Sequence, residues 1–286
     1  MKEELDFTIP VMKFKEQVGE REFIRFTTTR HGGVSTGEYE SFNLGAFCGD
    51  NPENVERNRL LLCKELGIDD FFLFIPHQVH GDKIFDIDDV DFLLGGTEWH
   101  QEQLDGYDAI VTNVSDIAIG VTTADCTPVV FYDPVRKVIA AAHAGWRGTA
   151  KEIVCKVVDV MRRNHDCDVK NIKATIFPAI CGDIYSVGPE VIFEMSKTSV
   201  DVREYSYLYN NPKSEFFLDL VEANRKMLLH AGILPQNITL LNDCTYTWDA
   251  DFFSARRQGY NCGRMVSGIM MKDLSLSTDE NSFNFE

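Results

Sequence analysis

The stretch at residues 128–145, "PVVFYDPVRKVIAAAHAG", decides the fold. Two apolar runs flank Asp133-Pro134, a dipeptide that opens a turn, so the runs are expected to pair as a hairpin. Working outward, "YDAIVTN" (107–113) and "IAIGVTT" (117–123) read as further strands. So do the β-branched and aromatic "EFIRFTTT" (22–29) and the later runs "IKATIFP", "ITLL" and "MVSGIMM". The apolar "FFLFIP" (71–76) reads as one more buried strand. Helices alternate with these strands. "NPENVERNRLLLCKELG" starts with Asn51 as cap and Pro52 as first helical residue, stops at Gly67, and puts Val55, Leu62 and Leu66 on one face. "AKEIVCKVVDVMRRN" (150–164) carries a stripe of Ile153, Val154, Val157, Val158 and Met161, the pattern of a helix lying on a sheet. "PEVIFEMSK" and "LVEANRKMLLHAG" read as two more, the second capped by Gly232. A central hairpin within alternating helices and strands implies an α/β (α+β-like) sandwich of mixed β-sheets covered by helices.

The 286 residues show no internal repeat and no Pro/Gly/Ser linker. One domain, 1–286, is therefore expected, with its core at about 21–272 and polar tails such as "STDENSFNFE" at the ends. Neither a G-x-G-x-x-G nor a Walker loop is present, which argues against a doubly wound nucleotide fold. The opening "MKEELDFTIP" is polar and acidic, unlike a secretory leader, and no apolar run approaches the roughly 20 residues of a membrane helix. The cytoplasm is the expected setting, with no membrane partner. A net charge of −17 argues against nucleic acid, whose binding draws on a basic face. The eight cysteines include no C-x-x-C pair, so zinc ribbons and thioredoxin-type redox motifs are not expected.

Three strand ends carry candidate metal ligands: His80 in "HQVHG", Cys126 in "TTADCTP" and His143 at the end of "VIAAAH". Two imidazoles and one thiolate suit Zn²⁺ and leave a fourth position free, as catalytic zinc sites do. The bland readings stand beside this one. A lone histidine is more often a hydrogen-bonded core or surface residue, and a cysteine between apolar runs is more often inert packing. Separations of 46 and 17 residues match no local metal motif. Cys126 could also act as a nucleophile beside a histidine, with Asp125 as the orienting carboxylate; a bound metal would consume that thiolate. For anions, "TTTRHGGVSTG" offers Arg30, Gly32, Gly33 and Ser35, and Arg147 follows His143 by four residues. A glycine turn with a solvated Arg30 is the plain alternative. Arg256 and Arg257 read as a surface or ion-paired couple. Position alone makes Asp125 and Asn43 candidates for acid–base work.

The motifs "TTRHGGVS", "HQVHG", "DGYDAIVTN", "TTADCTPV", "AAHAGWRGT", "PAICGDIYSVG", "FFLDLVEANRKMLLHAG" and "FFSARRQG", in this order, resemble the laccase-like multicopper polyphenol oxidoreductase family. That family is also called the purine nucleoside phosphorylase or peptidoglycan-editing-factor family, and the resemblance runs from about Arg21 to Met271. It implies a single-domain, YfiH-type sandwich shared with a bacterial toxin's deamidase domain, and one metal, Zn²⁺ with Cu²⁺ as alternative, on His80, Cys126 and His143. It further implies phosphorolysis of adenosine, inosine and methylthioadenosine, and deamination of adenosine. Other activities implied are copper-dependent phenol oxidation and editing of cell-wall muropeptide precursors by an amidase. Phe177, Ser186 and Gln258 stand where glycine, glutamate and aspartate are usual. Seven histidines without an H-x-H pair do not make a multicopper cluster, which favours zinc and purine chemistry. Zinc brings the pKa of bound water towards about 7, which suits attack on adenine. The usual H-x-E…P-C-x-x-C deaminase signature is absent, so such a site would be of independent origin. On this reading the partners are purine nucleosides and phosphate, the phosphate held by Arg30 and the Gly32 and Gly33 amides with Arg147.

Overall fold

The computed structural model describes residues 11–88, 90–209 and 215–275. The polar tails discussed above, 1–10 and 277–286, lie outside them. Fourteen strands are described: β1 (Val11–Val18), β2 (Arg21–Thr28), β3 (Leu73–Phe74), β4 (Ile84–Ile87), β5 (Ala109–Thr112), β6 (Ala118–Thr123), β7 (Thr127–Asp133), β8 (Val138–Ala144), β9 (Lys173–Ile176), β10 (Ser186–Val187), β11 (Ser206–Tyr209), β12 (Glu215–Leu218), β13 (Ile238–Leu240) and β14 (Met265–Asp273). The helices are α1 (Pro52–Leu66), α2 (Thr97–Gln103), α3 (Trp146–Ala150), α4 (Ile153–His165), α5 (Pro189–Met195), α6 (Leu220–His230) and α7 (Ala255–Gln258).

The predicted hairpin is β7–β8, antiparallel from Asp133↔Val138 at the turn to Thr127↔Ala144 at the open end. Both strands are buried along their whole length. They lie at the middle of a six-stranded sheet ordered β13-β9-β7-β8-β5-β4. Strand alternation sends their side chains to two different cores. Val129 and Phe131 face α4 and α6, packing with Ile153, Val157, Met161, Met227 and Leu228. Val130, Tyr132, Ile139 and Ala141 face a second sheet, ordered β1-β2-β14-β6-β3, meeting Phe23, Ile119, Val121, Ile269 and Met271. That sheet's other face, through Ile24, Phe26, Val266 and Met270, is covered by Leu62, Cys63 and Leu66 of α1. The result is helix, sheet, sheet, helix, a mixed α/β sandwich with parallel pairs at β3–β6, β4–β5 and β9–β13. A small third sheet, β10-β12-β11, is hydrogen-bonded to neither, and its Leu218 packs into the core shared with α4 and α6.

Local chemistry explains the boundaries. Asn51 caps α1 by accepting from the Glu53 N–H at 3.0 Å, and Gly67 ends it in the left-handed region at φ +69°. The stripe read from residues 150–164 is the buried face of α4. Two expectations are corrected, and one strand was not anticipated. "FFLFIP" contributes only Leu73–Phe74 as strand, because Asp69 caps a 3₁₀ turn over Asp70–Phe72 by accepting from the Phe71 N–H at 3.1 Å. The helix expected from residue 150 is broken into α3 and α4 at Glu152, whose backbone is left-handed (φ 57°) and whose carboxylate accepts from the Ser199 N–H at 2.7 Å. Strand β1, alternating Lys and Glu with apolar residues, is half-exposed at the sheet edge and carries too weak a signal to read from sequence.

The layer assignment predicts a sharp contrast. Phe131→Ala is expected to lose about 3–5 kcal/mol of stability, whereas Leu60→Ala on the outer face of α1 changes it by less than about 0.5 kcal/mol. Chemical denaturation of the two variants measures both.

Candidate metal centre

The open end of the β7–β8 hairpin is where the chemistry gathers. Pro128 pairs with His143, and Cys126 precedes Pro128 by two residues, so Cys126 and His143 project on one face as diagonal neighbours. On the other side of β8, Asp108 extends β5 by one residue, and its carbonyl accepts from the His143 N–H at 2.8 Å. The third partner arrives on the loop after β3. Gln78 pins that loop to β6, its amide donating to the Thr122 carbonyl at 2.8 Å and accepting from the Thr122 N–H at 2.7 Å. Beyond it, the N–H groups of Val79, His80 and Gly81 donate to the Asp108 carboxylate at 3.3, 3.0 and 2.6 Å. His80 adopts φ 57°, which turns its ring back towards the hairpin.

His80, Cys126 and His143 converge: their ligand atoms lie within 4.8 Å of one another. The His80 and His143 rings meet edge to face, 4.8 Å between centroids. Gly145 shows how tightly the trio is gathered. A Cβ there would stand 3.0 Å from Cys126 Sγ, 3.3 Å from the His80 ring and 3.6 Å from His143 Nε2. Asp108 takes the Nδ1–H of His143 at 2.8 Å, leaving Nε2 as the free ligand atom. This donor set fits Zn²⁺ or another borderline divalent ion and leaves a coordination position for a reactant. His80 stands exposed, Cys126 half-buried and His143 buried, so the site opens on the His80 side.

The electrostatics agree with ligation. Burial by itself would raise the Cys126 thiol, but the charge of His143 and hydrogen bonds from His143 and His80 bring it down to about 6. Burial would likewise depress His143, yet the Cys126 thiolate and Asp108 raise it to about 9. Metal-free, the pair is a thiolate beside an imidazolium, and a cation takes the place of the imidazolium proton. Asp108 is held below the usual carboxylate range: burial opposes this, and His143 and the loop N–H groups outweigh it.

The remaining sequence candidates fall into separate places. His77 Nδ1 donates to Asp105 Oδ1 (2.5 Å), and its ring lies tilted against Phe47, away from the trio. Asp125, buried at φ 86°, accepts from Thr245 Oγ1 at 2.7 Å and from the Arg256 N–H at 2.6 Å; the carboxylate on His143 is Asp108. The Arg30 guanidinium donates to the carbonyls of Glu40 and Asp249 and lies over Phe253. Gly32 is left-handed at φ +83°. The Gly33 N–H is taken by Ser41 Oγ at 3.1 Å, and a Cβ there would collide with the Ser41 carbonyl. Ser35 donates to Asp50 at 2.6 Å. Asn43, fully buried, donates to Asp50 and accepts from the N–H groups of Gly45 and Arg264. These residues knit the loop at 30–50 to itself, to Asp249 and to Arg264, which precedes β14. Arg147 lies over the Trp146 ring. Arg257 pairs with Asp249, while Arg256 lies over the Tyr185 ring and donates to the Ser186 carbonyl.

Sequence reasoning missed Asp108, Gln78 and Tyr185. The signal for Asp108 was an aspartate standing immediately before the fully buried strand β5. Of the three substituted motif positions, Phe177 is buried between the two sheets, Ser186 receives Arg256, and Gln258 caps its own turn at the Ser254 N–H.

Comparison with known proteins adds the following. The family model described as multi-copper polyphenol oxidoreductase laccase matches residues 24–272. A purine nucleoside phosphorylase of Bacteroides thetaiotaomicron is 37% identical over 86% of this chain and 90% of its own length. An adenosine deaminase, RL5, from an unknown prokaryotic organism is 37% identical over 86% and 93%. Among solved structures, the hypothetical protein YfiH of Bacillus licheniformis superposes with a TM-score of 0.81 at 32% identity, covering 87% of this chain and 92% of its own. YlmD of Geobacillus stearothermophilus superposes at 0.80 with 27% identity, covering 91% and 100%.

Asp108→Asn is expected to weaken divalent-metal affinity about 10–100-fold, because the amide cannot both receive the His143 proton and bind three loop N–H groups. Asp105→Asn, on His77, leaves affinity unchanged. Competition against a chromophoric chelator reads both.

Proposed function

The chain belongs to the multi-copper polyphenol oxidoreductase laccase family, and from that premise we propose that it is a zinc-dependent purine nucleoside phosphorylase that also deaminates adenosine. The observation that carries the reading is the convergence of His80, Cys126 and His143 behind an open face. The printed names of relatives, phosphorylase and adenosine deaminase, support the substrate class. One trio of ligands among the described residues, with seven histidines and no H-x-H pair in the sequence, speaks for a single non-redox ion rather than for phenol oxidation.

A divalent ion held by the trio supplies Lewis acidity and lowers the pKa of water or of a substrate group beside it. The protein's own residues do the rest. Asp108 keeps the Nδ1 proton of His143 in place, which fixes the tautomer and the direction of Nε2. Tyr185 lies within electrostatic reach of Cys126, Asp125, Arg147 and Arg256. Burial first, then the negative Cys126, hold its phenol protonated up to about 12, so it stays a hydrogen-bond donor at neutral pH. Arg147 and Arg256 are the cations of that group, and the reading assigns phosphate to them, Arg147 first. The segment containing Arg30, Gly32, Gly33, Ser35 and Asn43 acts in this reading as the frame beside the site. Asp125, the residue that precedes Cys126, acts in this reading as a positioning group that ties Thr245 and Arg256 to the site. The reading carries a cytoplasmic setting, and among the described residues no helix is long and apolar enough to cross a membrane.

Zinc-loaded protein given adenosine and phosphate should yield adenine and ribose 1-phosphate together with inosine. In phosphate-free buffer inosine alone should form. Cys126→Ser should lose metal and both activities together; a metal-free Cys126→Ser protein that still turns over adenosine sinks the proposal. Persistence of activity after the metal is stripped from wild type points instead to Cys126 as a nucleophile. Arg147→Ala should raise the KM for phosphate about tenfold or more, with deamination little changed.

A further inference from the structure

Beyond the metal trio, a second pair of sulfurs lies close to the site. Parallel pairing of β13 with β9 continues past both strands. The Leu241 N–H donates to the Ile176 carbonyl at 2.9 Å, Ala179 bridges to Cys244, and the Thr245 N–H donates to the Ala179 carbonyl at 3.0 Å. This backbone ladder brings Cys181 against Cys244 although 63 residues separate them. Their Sγ atoms are 2.7 Å apart and share a hydrogen bond, and the Cys181 N–H donates to Cys244 Sγ at 3.2 Å. Both are free thiols, Cys181 half-buried and Cys244 buried.

The two connectors that carry these thiols are the ones that grip Asp125. The Ile180 N–H donates to the Asp125 carbonyl at 3.0 Å, and Thr245 Oγ1 donates to its carboxylate at 2.7 Å. We propose that Cys181 and Cys244 form a reversible disulfide site, oxidised by low-molecular-weight disulfides, which cross-links the wall of the metal centre behind Asp125. The assignment rests on the sulfur geometry and stands apart from the reaction at the metal.

The chemistry balances as thiol–disulfide exchange. The Cys244 thiolate attacks the S–S bond of the small disulfide and releases one thiol. Cys181, giving up its proton, attacks the Cys244 sulfur of the mixed disulfide and releases the second thiol. Two protein thiols lose two electrons and two protons, and the reagent leaves as two thiols. Cys244 suits the attacking role: burial opposes ionisation, but hydrogen bonds from Cys181 and Thr247 outweigh it and lower its pKa. Burial pushes the thiols of Cys63, Cys155 and Cys167 upward, which leaves them poor competitors.

The test uses the full-length, metal-loaded protein equilibrated with mixtures of oxidised and reduced glutathione, then acid-quenched, alkylated in denaturant and peptide-mapped. The expected result is loss of two alkylatable thiols out of eight, with one cross-linked peptide joining Cys181 to Cys244, reversed by dithiothreitol. Closing so long a loop should raise Tm by about 5 °C. Cys181→Ser should stop at a dithiothreitol-reversible glutathione adduct on Cys244, with no cross-linked peptide and no Tm shift; Cys244→Ala, which removes the attacking thiol, should leave Cys181 alkylatable and serves if the first variant fails to fold. Oxidation that appears at other cysteines, that stops at a glutathione adduct on Cys181, or that leaves all eight thiols free overturns the proposal.

Discussion

The buried carboxylate of Asp108 is the constraint on which the metal centre depends. It has no solvent exposure and accepts four hydrogen bonds, from His143 Nδ1 and from the N–H groups of Val79, His80 and Gly81. A charge taken out of water at such depth is destabilising by several kcal/mol unless its lone pairs are filled. Filling them ties together three segments that are far apart in the chain: the end of β5, the end of β8 and the loop after β3. One carboxylate therefore folds the loop that carries His80 and aims the ring of His143. Residue 108 touches no reactant in this arrangement; it acts through the two imidazoles.

The hairpin supplies the other half of the geometry. Strands β7 and β8 are buried on both faces because each face belongs to a different core, one shared with α4 and α6 and one with the second sheet. Such a strand pair cannot slip register without placing every side chain in the wrong core. The rigidity extends to the open end, where Cys126 and His143 leave the ladder side by side. The small residue Gly145 stands where a side chain would block the trio. Packing energy is thus converted into positional accuracy at the ligands, with no local sequence motif required.

The wall around Cys126 has a different character. It is built from connectors with little regular structure, held by Asp125 on Thr245 and Arg256; the loop at 30–50 is held in the same way, by Asn43 on Gly45 and Arg264 and by Ser35 on Asp50. Buried polar groups in such segments must be satisfied locally. This is why residues that look like anion ligands in the sequence are engaged within the fold. Arg147 and Arg256, both within electrostatic reach of Tyr185, instead lie over the aromatic rings of Trp146 and Tyr185. Oxidation at Cys181 and Cys244 would stiffen this wall and leave the hairpin as it is.

Taken alone, the amino-acid sequence determined the elements whose signals are local. The α1 caps at Asn51 and Gly67, the apolar stripe of α4 and the Asp133-Pro134 turn each rest on neighbouring residues, and each appears where it was expected. The motif order was enough to single out His80, Cys126 and His143 as partners. Only the tertiary structure decided that Asp108 rather than Asp125 stands behind His143, that His77 belongs to Asp105, and that Cys181 meets Cys244. Each of those outcomes depends on strand register and on which loop closes over which sheet end. Such contacts are set by the packing of two cores at once, and no periodicity within a single segment records them.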